Sequence, residues 1–427
     1  MFLSLFMAAA VVPAAGPANA GANADNRMLR YVVRKNDSLD NLAKRYFVSY
    51  AAIDRVLAVN RIPQPRKLNE NEALLIPYNL LRWTQVNGQI VSFRGAVRVG
   101  NQNAAVGKTI DEGSRIETAS DSFVALQFPD GSITTLPSNS RVRAISMRRY
   151  VMTGEVDRRF VVEAGGSEWR VTPAKSAGDR FEVRTPVATT AVRGTEFRVT
   201  YTEQAGQSGT GVVKGEVNFA TPKSDQPVSL PPGFGAVTDT SGTIEKRPLL
   251  PAPDLVPGYA VQRAETVSFT AKPVPGAKSY LYEIANDSSF LDPVVAVRSD
   301  GEVASLASLA DGQYFMRVSA LDDAKLQGLS RSYVFVRKQL VLAAAPDGAS
   351  GRLKFSWTKG PARTLGYQFL LSNSQDLQQR LVDTIVSGGT GLSIGPLGPG
   401  HYYWRVVTLL PGGHDPSDVQ SFEVGAP

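Results

Sequence analysis

Two periodicities of hydrophobic and polar positions divide the chain. Near the start the apolar residues Leu39, Leu42, Ala43 and Tyr46 fall at i, i+3, i+4 and i+7, a stripe that predicts a short helix capped by Asp37 or Ser38. Ser49 marks the start of a second helix, in which Ile53, Val56 and Leu57 repeat the spacing before it ends near Asn60. Apolar stretches from Tyr31 to Arg34 and from Ala73 to Ile76 bracket the helices. Each is too short to stand alone as a strand, so the two are expected to pair and close a small βααβ unit.

From Trp83 onward helical spacing gives way to alternation. Val97 and Val99, then Val124, Leu126 and Phe128, then Val142 and Ala144 each repeat at period two. Turn signals separate these runs at Asp111-Glu112-Gly113, Asp130-Gly131, Gly165-Gly166, Lys214-Gly215 and Pro232-Gly233. The clearest hairpin runs from Phe123 to Leu136 around Pro129-Asp130-Gly131-Ser132. So many strands need their edges covered, which calls for closure into a barrel, sandwich or solenoid. Prolines at 248, 251, 253 and 257 then predict a stiff linker at 248–257.

Beyond the prolines the sequence repeats. The run 277–284 aligns with 364–371, and Leu309-Ala310-Asp311-Gly312-Gln313-Tyr314-Phe315-Met316-Arg317-Val318 aligns with Leu397-Gly398-Pro399-Gly400-His401-Tyr402-Tyr403-Trp404-Arg405-Val406. The spacing suits two β-sandwiches of one kind. Alternation puts Tyr402, Trp404 and Val406 on one face with Tyr314, Met316 and Val318 as their counterparts, a pattern that reads as core. Trp357 reads likewise, with Ala271 in its place in the first copy, whereas His401 and Tyr403 fall on the opposite face. The expected fold is therefore multidomain and mainly β.

Composition adds an address and a charge bias. Phe2 to Val12 is apolar and Ala18-Asn19-Ala20 offers a small-x-small cleavage site, so residues 1–20 read as a signal peptide without the usual basic start, followed by a flexible lead at 21–29. No later apolar run reaches the ~18 residues of a membrane span, so no integral membrane segment is expected after cleavage. The chain has no cysteine, which excludes disulfides, thiol catalysis and a lipoprotein anchor. Of the formal net charge of +7, the stretch from Arg27 to Arg82 holds +6, with eleven Lys/Arg against five Asp/Glu. A basic surface favours anionic envelope polymers. Nucleic acid is not expected as a partner, because the chain has no basic helix, aromatic RNA-binding strand or zinc finger.

The segment 30–78, with Asn36-Asp37-Ser38-Leu39 after its first strand, Asn60 after its second helix and Ile76-Pro77 at its end, resembles a lysin motif (LysM) domain. The resemblance implies binding of peptidoglycan or another N-acetylglucosamine-containing glycan in a shallow groove. One wall would be Asn36, Asp37, Ser38 and Leu39, the other Asn60, Arg61 and Ile62. Asn36 and Asn71 stand where that family usually has glycine, and asparagine is the residue that best tolerates the same left-handed backbone.

Within 79–247, the stretch from Thr185-Pro186 through Arg193-Gly194 to Glu196-Phe197 is similar to the signature of the FecR family. Its small residues allow close strand approach, and an Arg193–Glu196 ion pair across Gly194 is expected to fix a structural corner. That family includes membrane regulators that relay the state of an outer-membrane transporter to a sigma factor. The cytoplasmic segment and membrane helix of that plan are not expected here, and only the β-rich module is carried over. The repeats at 258–338 and 339–427 resemble immunoglobulin-like fibronectin type III domains.

No chemistry stands out. His401 and His414 lack metal-ligand spacing, and no nucleophile elbow, phosphate loop or dinucleotide fingerprint occurs. No catalytic residue, metal or cofactor is expected. The leading expectation is a non-enzymatic, exported periplasmic protein that holds peptidoglycan and presents its β-domains to an envelope protein partner. A FecR-type periplasmic sensor is the alternative. A peptidoglycan hydrolase, which needs two carboxylates on one cleft, ranks third.

Overall fold

The computed structural model describes residues 27–63, 68–306, 309–338, 342–346, 351–360 and 363–425. The expected signal peptide at 1–20 and most of the lead at 21–29 lie outside the described residues. The chain forms two compact units, one comprising the chain up to Thr84 together with Arg149–Glu155, the other Gln85–Arg148 and Val156–Pro427. The protein is multidomain and mainly β, with helices α1 and α2 both in the first unit.

In the first unit β1 (Met28–Val32) pairs antiparallel with β2 (Ala73–Pro77), with Tyr31 opposite Leu74. The strand thus starts three residues earlier than the apolar pattern suggested, and Arg34 lies beyond it, in a turn whose Asp37 carboxylate accepts from the Arg34 amide at 2.7 Å and the Tyr31 hydroxyl at 2.6 Å. Helix α1 (Leu39–Tyr46) begins at Ser38, whose Oγ accepts from the Asn41 amide at 3.2 Å, so Ser38 is the cap and Asp37 ties the preceding turn. Helix α2 (Ala52–Asn60) begins at Ala51 without a side-chain cap, and Ser49 contributes only its carbonyl, accepting from the Ala52 amide. Asn36 and Asn71 both sit at φ +68°, the left-handed geometry anticipated for them. The core gathers Leu39, Leu42, Phe47, Ile53, Val56, Leu74, Ile76 and Tyr150. Tyr150 packs edge-on against Tyr78 at 4.9 Å, and the Tyr78 hydroxyl donates to Glu155.

In the second unit the strands between Gly88 and Pro248 belong to a closed barrel. The hairpin Phe123–Gln127 with Ile133–Leu136 forms as the turn signal predicted. The organising strand is Val156–Arg170. Its first half pairs in parallel with Arg180–Arg184, its second half antiparallel with Glu196–Thr202, and Gly165 at φ +74° separates the two. A side chain at Gly165 would collide with the Asn139 carbonyl. Phe160, Trp169, Phe181 and Phe197 fill the barrel with rings 4.8–6.4 Å apart.

Two sandwiches follow in the same unit. The first packs a five-stranded sheet, centred on Ser279–Ala285, Gly312–Leu321 and Gln327–Arg337, on the pair Val267–Thr270 and Val303–Leu306. In the second, Gly366–Ser372 and Gly400–Leu410 repeat that centre. Tyr314, Met316 and Val318 lie in one core and Tyr402, Trp404, Val406 and Trp357 in the other, the face that alternation assigned, with Ala271 buried as the counterpart of Trp357. The proline-rich 248–257 segment is not a free spacer. Leu249 packs with Val237 and Leu326, Leu255 enters the first sandwich's core, and the Leu329 amide donates to the Leu250 carbonyl. The leucines between the prolines override their stiffness and bind the segment to both neighbours.

Arg61 ends α2 at φ +52° with its backbone N–H on the Leu57 and Ala58 carbonyls, a position that favours glycine. Arg61→Gly is expected to stabilise the first unit by about 0.5–1 kcal/mol in thermal unfolding of the full chain, whereas the same change at Arg55, inside α2, is expected to destabilise it.

Candidate functional site

Where the barrel meets the first sandwich, two ladders supply opposite charges. On the barrel Glu168 stands directly across from Arg198 in the antiparallel register, and on the sandwich Glu283 stands across from Arg317. Arg317 joins the two ladders. Its guanidinium donates to Glu168 at 2.7 and 3.1 Å and to Glu283 at 2.6 and 2.8 Å, while its face lies 4.7 Å from the Phe290 ring centre. Arg198 returns the link, lying 3.5 Å from Glu168 and donating to the Gly328 carbonyl at 3.0 Å and to Ser330 at 3.4 Å. Both arginines are at least nine-tenths buried.

Burial alone would raise the Glu168 carboxyl, yet the charges of Arg317 and Arg198 outweigh it and hold the group well below the usual carboxylate range. For Arg317 burial works in the other direction, and Glu283 and Glu168 keep it firmly protonated. Glycines let the surfaces close to this distance. A side chain at Gly328 would meet the Leu250 carbonyl at 2.6 Å, and one at Gly235 would meet Leu326 at 2.7 Å. Beside the four charges lies a cavity of about 350 Å³ walled by Phe123, Pro137, Leu281, Phe290, Val294 and Leu306.

The signature residues form a corner of the barrel. The Thr185 hydroxyl accepts from the Ala188 amide at 3.0 Å with Pro186 exposed at the bend. Gly194 has φ +69°, and a side chain there would strike Pro173 at 2.8 Å. The expected Arg193–Glu196 pair is replaced: Arg193 donates to the Ala177 carbonyl, and Glu196 lies 3.4 Å from Arg170. Strand pairing explains the difference, since Glu196 is placed opposite Arg170 in the ladder. Asp130 in the hairpin turn accepts from Arg158, Ser132 and Thr172. Burial opposes its ionisation, and these donors nonetheless hold it strongly acidic, so the turn binds it structurally.

In the first unit Asn36 and Arg61 are exposed, Asp37, Ser38, Asn60 and Ile62 are half-buried, and Leu39 is 1% exposed. Leu39 is thus a core residue whose side chain cannot cover a sugar. The Asn60 amide is spent on structure, donating to the Val56 and Leu75 carbonyls at 2.8 and 2.7 Å and accepting from the Leu75 amide at 2.7 Å. Leu39 and Asn60 fix the two loops, and the remaining positions offer backbone and polar groups.

Residues 114–218 match the family described as FecR protein. The barrel carries a FecR domain. The match spans Glu168 and Arg198 but ends short of the sandwich partners. Among solved structures, a putative anti-sigma factor from Parabacteroides distasonis is 24% identical, with 31% of this chain and 59% of that one covered and a TM-score of 0.27. A two-domain fibronectin type III segment from chicken tenascin is 14% identical, with 42% and 99% covered at a TM-score of 0.20. Latent PorU from Porphyromonas gingivalis is 10% identical, with 91% and 39% covered at 0.21. The chain thus spans about three-fifths of the anti-sigma structure's length. No curated protein matches.

Among the described residues no group of three His, Cys, Asp or Glu side chains could hold a metal ion, and no helix is long and apolar enough to cross a membrane. His401 lies exposed 3.5 Å from Glu423, its neighbour across the ladder.

Glu168→Gln is expected to cost about 3–5 kcal/mol, because it leaves buried guanidinium charge uncompensated, and replacing Glu168 and Arg317 together by Leu and Met is expected to cost less. The Glu168 pKa is depressed on folding, so its contribution is present above the ordinary value of 4.5 and is lost as pH falls below it. Urea unfolding at stepwise lower pH should show a steeper loss of stability in the wild type than in the Glu168→Gln variant.

Proposed function

We propose that this chain is a non-enzymatic FecR-type sensor or regulator of the cell envelope, in which the barrel and first sandwich act as one recognition body for an envelope protein partner. The observation that carries the reading is the FecR domain at residues 114–218. Its support from the geometry is the way the barrel's charged ladder is completed by the sandwich: a signal received on either part strains the Glu168–Arg317 junction, the element through which the two can communicate. The export signal expected in the sequence supports a periplasmic location in this reading, with the second sandwich as a spacer. Removing the protein from its host is expected to change transcription of a defined gene set, and restoring it with the barrel deleted is expected not to reverse the change. An unaltered transcript profile on removal contradicts the reading.

A second activity fits the first unit. The left-handed backbone at Asn36 and Asn71, where lysin motifs usually have glycine, supports this reading, as does the basic charge of the segment. We propose that it holds the chain on peptidoglycan through the loops at 36–38 and 61–62, so that sensing takes place at the wall. Full-length protein is expected to co-sediment with purified sacculi at low salt, and Lys35→Glu with Arg61→Glu is expected to weaken retention by about tenfold. Failure of the wild type to sediment removes this activity and leaves the sensor reading standing.

A further inference from the structure

We propose that the cavity at the barrel–sandwich junction is a binding site for a small neutral amphiphile, a molecule with a short hydrocarbon body and an uncharged hydroxyl or amide head. The inference does not rest on the sensor reading, since binding there is independent of what the chain signals. At about 350 Å³ the cavity falls within the size range of small-molecule sites, roughly 300–1,000 Å³. Its lining combines apolar and polar side chains. Phe123 and Pro137 from the barrel line it together with Leu281, Phe290, Val294 and Leu306 from the sandwich, an apolar surface for a hydrocarbon body. Thr135, Ser138, Ser167 and Thr200 also line the cavity; the Ser138, Ser167 and Thr200 hydroxyls donate to the Ser122, Val199 and Gly209 carbonyls, so what they offer a polar head is their oxygen lone pairs, as acceptors.

The charges decide the ligand's class. The charges in the lining balance, two arginines against two glutamates: Arg317 binds both Glu168 and Glu283, and Arg198 lies 3.5 Å from Glu168, with its Nε making no hydrogen bond. Phe290 covers the face of the Arg317 guanidinium. At the exposed rim Arg94 and Asp121 contribute one charge of each sign. A carboxylate or ammonium ligand entering such a site must either break an existing pair or be buried without a partner, and both are costly. A neutral head needs neither. Because the walls come from both the barrel and the first sandwich, an occupant also favours their docked arrangement by mass action.

The test is calorimetric titration of the full chain with octan-1-ol, octanoate and octyltrimethylammonium, which share a hydrocarbon body and differ in head charge. Octanol is expected to bind one molecule per chain, at least about tenfold more tightly than either ion, given the penalty for an unpaired buried charge. It is also expected to raise the melting temperature. Ala296→Trp, at an exposed position of the lining, should abolish octanol binding while leaving the ligand-free melting temperature unchanged. Val294→Phe, which narrows the cavity from the same strand, is the second variant should the tryptophan disturb folding. No octanol binding up to its solubility limit, equal binding of either ion, or binding that survives both substitutions overturns the proposal.

Discussion

The contact between Arg317 and Glu168 is the constraint on which the second unit depends. A guanidinium and a carboxylate taken out of water lose several kcal/mol of hydration each, and their attraction repays this only when geometry is good and the remaining donors and acceptors are used. Here Arg317 spends its donors on two carboxylates, while Glu168 collects Arg317, Arg198 and the more distant Arg170 at 3.7 Å. These pairings depend on the register of both ladders, Glu168 across from Arg198 and Glu283 across from Arg317, and a slip of either would break them. It therefore gives specificity of docking as much as energy, and the apolar seam of Val237, Leu249 and Leu326 supplies the burial that holds the surfaces together.

The same logic recurs along the chain at lower stakes. Arg337, 1% exposed, is satisfied by carbonyls, donating to those of Leu309, Gln262, Ala264 and Glu265, and so fastens the loop that enters the first sandwich. Asp415 of the second sandwich accepts from Arg263 at 2.6 Å and from Lys338 at 3.2 Å. Burial would raise the Asp415 carboxyl, but these two cations bring it below its ordinary value. The second unit is thus a series of β-modules joined by side chains that reach across each boundary, and the stiff proline segment at 248–257 is packed between two of them rather than holding them apart.

Much of this was legible in the sequence because it follows from local rules. Period two fixed which face of Gly400–Leu410 is core, and Asp130-Gly131 marked its hairpin. The asparagines at 36 and 71 were readable as left-handed because so few residues tolerate that geometry. What escaped depends on register. Nothing in the spacing of Glu168, Arg198, Glu283 and Arg317 reveals that they stand opposite one another in two ladders, or that the ladders meet. The Arg193–Glu196 pair failed for the same reason: sequence proximity suggested it, and strand pairing gave Glu196 to Arg170. In the expected glycan groove, Leu39 and Asn60 were assigned to the walls from the resemblance alone, and packing and the edge of β2 claim their side chains.

Barrel and first sandwich joined through Arg317 and Glu168 should behave as one cooperative body. Native-state hydrogen exchange of the full chain measures this directly, by comparing amides of Ser167–Trp169 in the barrel with those of Met316–Val318 in the sandwich. The account predicts that both sets exchange through openings of the same free energy and that Arg317→Met lowers the two together. Different opening energies, with the barrel amides unmoved by that substitution, would show two independent domains and contradict it.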